Sequence, residues 1–220
     1  MMPGALLFDW DNTLVDSWVA IHAALAETFT AMGQVPWTLE ECRERVRASA
    51  RDAFPLIFGA RAEEAMEIFY AAFCRTHLER LRPLPGAAKL LARLAGAGPA
   101  LGIVSNKKGD LLRAEVAALG WARYFTGIVG ANDAVRDKPA VEAVTLALTL
   151  MCRDADEEVW FVGDTDIDML CAVASGCVPV LVRAEPPGPG EFVDCAPRLH
   201  LADCAALERL LFPEEVASSA

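Results

Sequence analysis

The chain has 220 residues, 54% of them hydrophobic, enough for one full core and a small accessory domain. Its 31 acidic against 20 basic residues give a formal net charge of -11, which argues against nucleic acid or an anionic membrane as a partner held by bulk charge. An anionic substrate would need a locally positive site.

Ala5–Phe8 is an apolar run with no polar face, as expected of a strand covered on both sides of a parallel sheet. It stops at two carboxylates, Asp9 and Asp11, followed by the turn formers Asn12 and Thr13. Asp16–Met32 reads as a helix, with Ile21, Leu25, Phe29 and Met32 at three- and four-residue spacing, and Gly33 stops it. Thr38 with Glu41 fits a capping box for a second helix. Asp52–Phe58, a break at Gly59, and a long helix Glu63–Leu81 follow. No strand is expected from Asp16 to Leu81, so this roughly 65-residue stretch reads as a helical insert of small-domain size.

Ala87–Ala95 is helical, and Ala100–Val104 is an apolar run ending in a polar turn, Ser105-Asn106-Lys107. A helix over Leu111–Leu119 ends at Gly120, and Gly127–Val129 is a short strand. The loop Ala131–Asp137 leads to Lys138-Pro139, and Val141–Met151 is a helix. Strand Val159–Val162 ends in Gly163-Asp164-Thr165-Asp166-Ile167-Asp168. Met169–Ala174 begins a helix that Gly176 ends, and Val178–Val182 is the last clear strand. Pro186–Gly190 must be a loop, and the tail Pro213–Ala220 is expected to fray. Strands alternating with helices imply a doubly wound parallel sheet, an α/β core. In such sheets ligands bind at the carboxyl ends of the strands. That is where the polar clusters lie.

The seven cysteines, odd in number and without a Cys-x-x-Cys pair, read as reduced and mostly buried thiols of a cytoplasmic protein. Met1–Leu7 carries neither the basic nor the long apolar segment of a signal peptide. No apolar stretch reaches the ~18 residues needed to span a bilayer. The sequence assigns no oligomeric state.

Four motifs in order resemble the haloacid dehalogenase-like hydrolases: Asp9-Trp10-Asp11-Asn12-Thr13, Ser105 after a strand, Lys138 before Pro139, and Gly163-Asp164 through Asp168. The resemblance runs from Leu6 to about Val182. Arg82-Pro83-Leu84-Pro85-Gly86 and Gly102-Ile103-Val104-Ser105-Asn106-Lys107 are similar to the phosphoglycolate phosphatase branch. One position departs, since Ala140-Val141-Glu142 follows where that branch often has a second Pro.

The resemblance implies a Rossmann-like core over residues 1–15 and 82–220, with a helical cap of the C1 type over 16–81. It implies a Mg²⁺-dependent phosphatase of a small phosphorylated metabolite, with 2-phosphoglycolate one candidate. Asp9 would attack phosphorus and Asp11 would act as acid and base. Mg²⁺, which suits an all-oxygen site, would take Asp9, the Asp11 carbonyl and Asp164, with Asp168 an outer orienter or a ligand. Lys138, Ser105 and the backbone near Asn106 would hold phosphoryl oxygens, with Thr13 also near the substrate. Arg47 and Arg51 are the candidates for a second anionic group. A sugar-phosphate mutase and a silent binding protein of the same fold are the alternatives. The dehalogenase and phosphonatase branches are disfavoured, because Asp11 supplies an acid/base that they typically lack.

Trp10, between the two carboxylates, is expected to pack behind the site. Asp166 is expected to be a loop or cap carboxylate, and Lys107 and Lys108 solvated charges. His22, His77 and His200, on helices or loops without metal-ligand spacing, are expected to be structural or exposed.

Overall fold

The computed structural model describes residues 2–213. Strand β1 (Ala5–Phe8) is completely buried. It leads through the Asp9–Leu14 turn into a two-residue strand β2 (Val15–Asp16). Four helices follow: α1 (Trp18–Ala31), α2 (Leu39–Arg45), α3 (Ala50–Phe58) and α4 (Ala62–Arg80). The capping box at Thr38 and Glu41 is formed, each side chain taking the other's backbone N–H. Gly59 leaves α3 at φ 56°, a conformation that glycine adopts without steric cost, and a 3₁₀ turn leads into α4.

The chain returns through β3 (Arg82–Pro83), which pairs antiparallel with β2, Val15 opposite Pro83. Then come α5 (Ala87–Ala97), β4 (Ala100–Lys108), α6 (Gly109–Ala118), β5 (Gly127–Ala131) and α7 (Glu142–Leu150). The last elements are β6 (Val159–Gly163), α8 (Asp166–Ser175), β7 (Val178–Val182), β8 (Leu199–Leu201) and α9 (Cys204–Leu211).

Six strands form one sheet in the order β5-β4-β1-β6-β7-β8, every neighbour parallel. The α/β doubly wound fold is as the alternation implies. Period-two alternation splits β1 between two cores: Leu6 and Phe8 pack with α5, α6 and α9, whereas Ala5 and Leu7 pack with α7 and α8. Burying one such side chain is worth about 1.5–3 kcal/mol. The winding runs outward to β5 and then crosses to the other side of β1. The carboxyl end of β1 is therefore a topological switch point.

Helices α1 and α4 pack closely, and the insert has its own aromatic core, with Phe29 5.2 Å from Phe58 and Phe54 5.5 Å from Phe69. It meets the sheet layer where Leu111 of α6 joins Ala20, Ala24, Ala72 and Phe73.

Four expectations need correction. Asp16 is strand rather than helix, because β2 must pair with β3 to bring both ends of the insert together. Ser105, Asn106 and Lys107 are not a turn: β4 continues to Lys108 through a register irregularity, Lys108 pairing with Ala131. His200 lies in β8 rather than on a helix or loop. Finally, β8 and α9 follow the strand expected to be last. Three-residue β8 carries no apolar run, and the eight residues of α9 follow closely after a capping Asp203. Past Pro213, the tail expected to fray lies outside the described residues.

Candidate active site

Asp9 leaves β1 with its N–H donated to the Val162 carbonyl at 2.8 Å, so β6 fixes its position. The turn beyond it places Asn12 at φ 63°, a left-handed conformation that Asn tolerates. The turn is closed by Leu14 N–H on the Trp10 carbonyl and Asn12 N–H on that of Val15. Asp9 and Asp11 consequently face one cavity. Trp10, between them, turns into the core, edge-on to Trp121 at 5.8 Å, and its indole N–H donates to Glu115 at 2.7 Å.

Lys138 ties the cluster together. Its buried ammonium donates to Asp9 at 2.7 Å and to Asp168 at 2.6 Å. The other Asp168 oxygen caps α8, accepting from the backbone N–H groups of Asp164 and Thr165 and from the Thr165 hydroxyl. Gly163 makes this possible, since a Cβ there would collide with the Asp168 side chain. Oxygens of Asp9, Asp164 and Asp168 lie within 4.8 Å of one another. Burial pushes the Asp9 carboxyl up to about 7; Lys138 opposes this, and Asp168 and Asp11 add to it. Burial likewise raises Asp164, helped by Asp168 and Asp9. Burial pulls the Lys138 ammonium down, but Asp168 and Asp9 outweigh it and hold it charged.

These residues fit a hard divalent cation. The donors are all carboxylate oxygens, and three carboxylates against one ammonium leave two negative charges when ionised.

Ser105 is buried on the cavity wall, its hydroxyl accepting from Lys107 N–H at 3.2 Å. Asn106 also lines the cavity; its amide donates to the carbonyls of Lys138 (3.1 Å) and Arg47 (3.4 Å), spanning core and insert. Thr13 does not line the cavity. Its buried hydroxyl donates to Asp164 at 3.3 Å, so it holds a carboxylate rather than facing a substrate.

Lys107, expected in solvent, is buried on the cavity wall. Its ammonium lies 2.6 Å from both Asp11 and Glu115, although only the Glu115 contact has hydrogen-bond alignment. Glu115 also takes the Trp10 indole and His77 Nδ1, the latter at 2.7 Å. His77 thus has a structural place, bridging α4 to the core. The signal for Lys107 was its spacing: two residues after Ser105, it shares a face with the serine if the strand continues. Lys108 is half-exposed and pairs with Asp110.

Arg51 is not among the residues lining the cavity. Its guanidinium pairs at 2.6 Å with Asp137, on the outer side of the Lys138 loop. Arg47 does line it, but lies 3.7 Å from Asp166 and donates to the carbonyls of Arg43 and Val46. Asp166 sits in the first turn of α8. His22 bonds the Trp37 carbonyl and His200 that of Arg183. All seven cysteines are free, five of them buried. No helix of the described residues is long and apolar enough to cross a membrane.

Comparison with known proteins places this geometry. The family model for haloacid dehalogenase-like hydrolases matches residues 6–182. The chain is 31% identical to a phosphoglycolate phosphatase of Rhodospirillum rubrum, over 83% of this chain and 80% of that one. It is 28% identical to a phosphoglycolate phosphatase of Agrobacterium fabrum, over 97% and 94%. Among solved structures, a haloacid dehalogenase-like family protein of Streptococcus pneumoniae superposes with a TM-score of 0.81 at 23% identity, covering 96% of this chain and 98% of that one. The chain belongs to the haloacid dehalogenase-like hydrolases, on the branch that resembles the phosphoglycolate phosphatases.

Proposed function

We propose that the protein is a Mg²⁺-dependent phosphatase of a small phosphorylated metabolite, acting through an aspartyl-phosphate on Asp9. A hydrolase of phosphate esters is what its family and relatives indicate. The observation that carries the residue assignment is the Lys138 ammonium held between Asp9 and Asp168, beside Asp164, at the switch point of the sheet.

Asp9 and Asp164, with the Asp11 carbonyl, would hold the metal. Asp168 has both oxygens engaged, by Lys138 and by the α8 N-terminus, which suits an orienter better than a ligand. Bound there, the cation would neutralise the carboxylates and draw a phosphoryl oxygen toward Asp9. An Asp9 oxygen attacks phosphorus as the ester P–O bond breaks, and Asp11 passes its proton to the leaving oxygen. Asp11 then takes a proton from water. The hydroxide attacks phosphorus, the bond to Asp9 breaks, and phosphate leaves. Lys138 and Ser105 stabilise charge on the phosphoryl oxygens throughout.

Residues 16–81 serve as a cap, hinged where β2 and β3 pair, over a core of 1–15 and 82–220. Closing it keeps water from the aspartyl-phosphate. The free cysteines support a cytoplasmic location. Phosphoglycolate, named by the relatives, remains the reference substrate, though both arginines proposed for its carboxylate are already paired. The test is phosphate release from p-nitrophenyl phosphate: EDTA should abolish it and Mg²⁺ restore it. Full activity in EDTA would overturn the reading.

A further inference from the structure

The cavity above Asp9 has two unlike ends. Its floor is Asp9, Asp11, Ser105, Lys138 and Asp164. Its walls, from the helical insert, include Ile21, Trp37, Val46, Ile57, Phe69 and Tyr70. All six are only partly buried although they pack against the apolar cores of the insert. They therefore present carbon to the cavity rather than closing it.

The cations that line the cavity besides Lys138 are committed. Arg45 pairs with Glu41 at 3.0 Å and lies over the Trp37 ring. Arg47 is held by Asp166 and two carbonyls, and Lys108 by Asp110 and the Tyr70 ring. Lys107 lies between Asp11 and Glu115. A carboxylate on the leaving group would lose its hydration and meet no unpaired cation on the wall, which is costly. An uncharged carbon chain or ring would bury its surface against the same wall at a gain. The cavity measures about 150 Å³. An engineered apolar cavity of roughly this volume holds one benzene, and here the phosphoryl group on the floor takes part of the space.

We infer that the substrates are phosphate monoesters whose leaving group is uncharged and apolar, of about the size of a short alkyl chain. The inference rests on the phosphatase reading above and specifies the leaving-group end of that same site. The floor binds and transfers the phosphoryl group, and the insert selects by carbon surface. Since one buried methylene is worth about 0.8 kcal/mol, each should raise kcat/KM roughly fourfold until the chamber is full.

The experiment measures kcat/KM for phosphate release, with Mg²⁺, from methyl, ethyl, propyl, butyl and benzyl phosphate and from phosphoglycolate. Propyl phosphate is the uncharged counterpart of phosphoglycolate in length. The expected result is a rise from methyl to butyl, with propyl phosphate at least about tenfold above phosphoglycolate, as for a charge buried without a partner. Ile57→Ser should flatten the chain-length series, and Ile57→Leu should keep it. Phosphoglycolate equal to or better than propyl phosphate overturns the inference and leaves the phosphatase reading standing. A flat series in the parent enzyme does the same. No release from any ester, p-nitrophenyl phosphate included, overturns both.

Discussion

The floor and the roof of the cavity are built on opposite principles. On the floor, carboxylates and ammonium groups are taken out of water and held by one another. Asp9 and Asp168 share Lys138, and Asp11 shares Lys107 with Glu115. Each of these positions is over-determined, so replacing one group strands a charge. The polar ties of the roof are mostly exposed pairs such as Arg75 with Glu27 and Arg61 with Glu64. Its helices are joined in the interior by aromatic contacts such as Phe29 of α1 on Phe58 of α3 and Phe54 of α3 on Phe69 of α4, and these tolerate repacking. Chemistry that needs fixed charges sits where the fold is rigid, and selection sits where side chains can change at modest cost.

The contrast predicts effects of very different size. Asp9→Asn keeps the shape and removes the attacking oxygen, so phosphate release should fall at least about a thousandfold with the fold intact by circular dichroism. Turnover within tenfold of the parent would move the nucleophile elsewhere.

Lys107→Met is a sharper probe, because it removes a charge beside Asp11 without touching any of the residues given a catalytic role. Glu115 keeps Trp10 and His77, but Asp11 loses the ammonium 2.6 Å away that fixes the position of its carboxyl. Alkyl phosphates, whose leaving oxygen needs a proton, should lose about 10- to 100-fold in kcat. p-Nitrophenyl phosphate, with a good leaving group, should lose less. Equal losses would reduce Lys107 to a packing role.

The raised Asp9 carboxyl, near 7 against an ordinary 3.8, makes a prediction for the metal-free protein. Between those values the folded state holds more protons than the unfolded chain, so this group's contribution to stability falls as pH rises through the window. A divalent cation needs the ionised form and competes with the proton. Added Mg²⁺ should therefore raise Tm more near pH 8 than near pH 5.5, the added stability reaching up to ~2.7 kcal/mol at a hundredfold excess over Kd. A Tm shift independent of pH would separate the carboxylate cluster from the metal.

The roof should respond least. Arg51→Ala removes a half-exposed partner of Asp137 that lines no part of the cavity. Steady-state kinetics should change by less than about threefold, while leaving the buried Asp137 carboxylate without its cation should cost about 1–3 kcal/mol of stability by denaturant unfolding. A selective KM increase for acidic substrates would restore Arg51 to the substrate site.

The same divide decides what could be read in the sequence. The floor was legible because strand ends and charged motifs are local: the all-apolar β1, then Asp9 and Asp11, announce themselves. The Thr38–Glu41 box and the glycine stops were legible for the same reason. Lys107 was missed because a polar triplet after an apolar run looks like a turn, whereas neighbouring β5 draws β4 on to Lys108. The short strands β2, β3 and β8 exist only through their partners, which no local pattern records. The commitments of Arg47 and Arg51 were hidden too, since Asp166 and Asp137 lie more than a hundred and more than eighty residues away in the chain. The aromatic spacing of α4 marked a helix, while which of its side chains face the cavity depends on how α1 packs against it.

The central claim, that the floor transfers the phosphoryl group through Asp9, is tested most directly in the Asp11→Asn enzyme. This variant lacks the base for the second step, while p-nitrophenyl phosphate needs no acid in the first. Acid-quenched enzyme incubated with Mg²⁺ and that ester should carry one phosphoryl group, mapped by mass spectrometry to the peptide containing Asp9. A phosphoryl group on any other residue, or a full equivalent of p-nitrophenol released with no phosphoenzyme, would contradict the account.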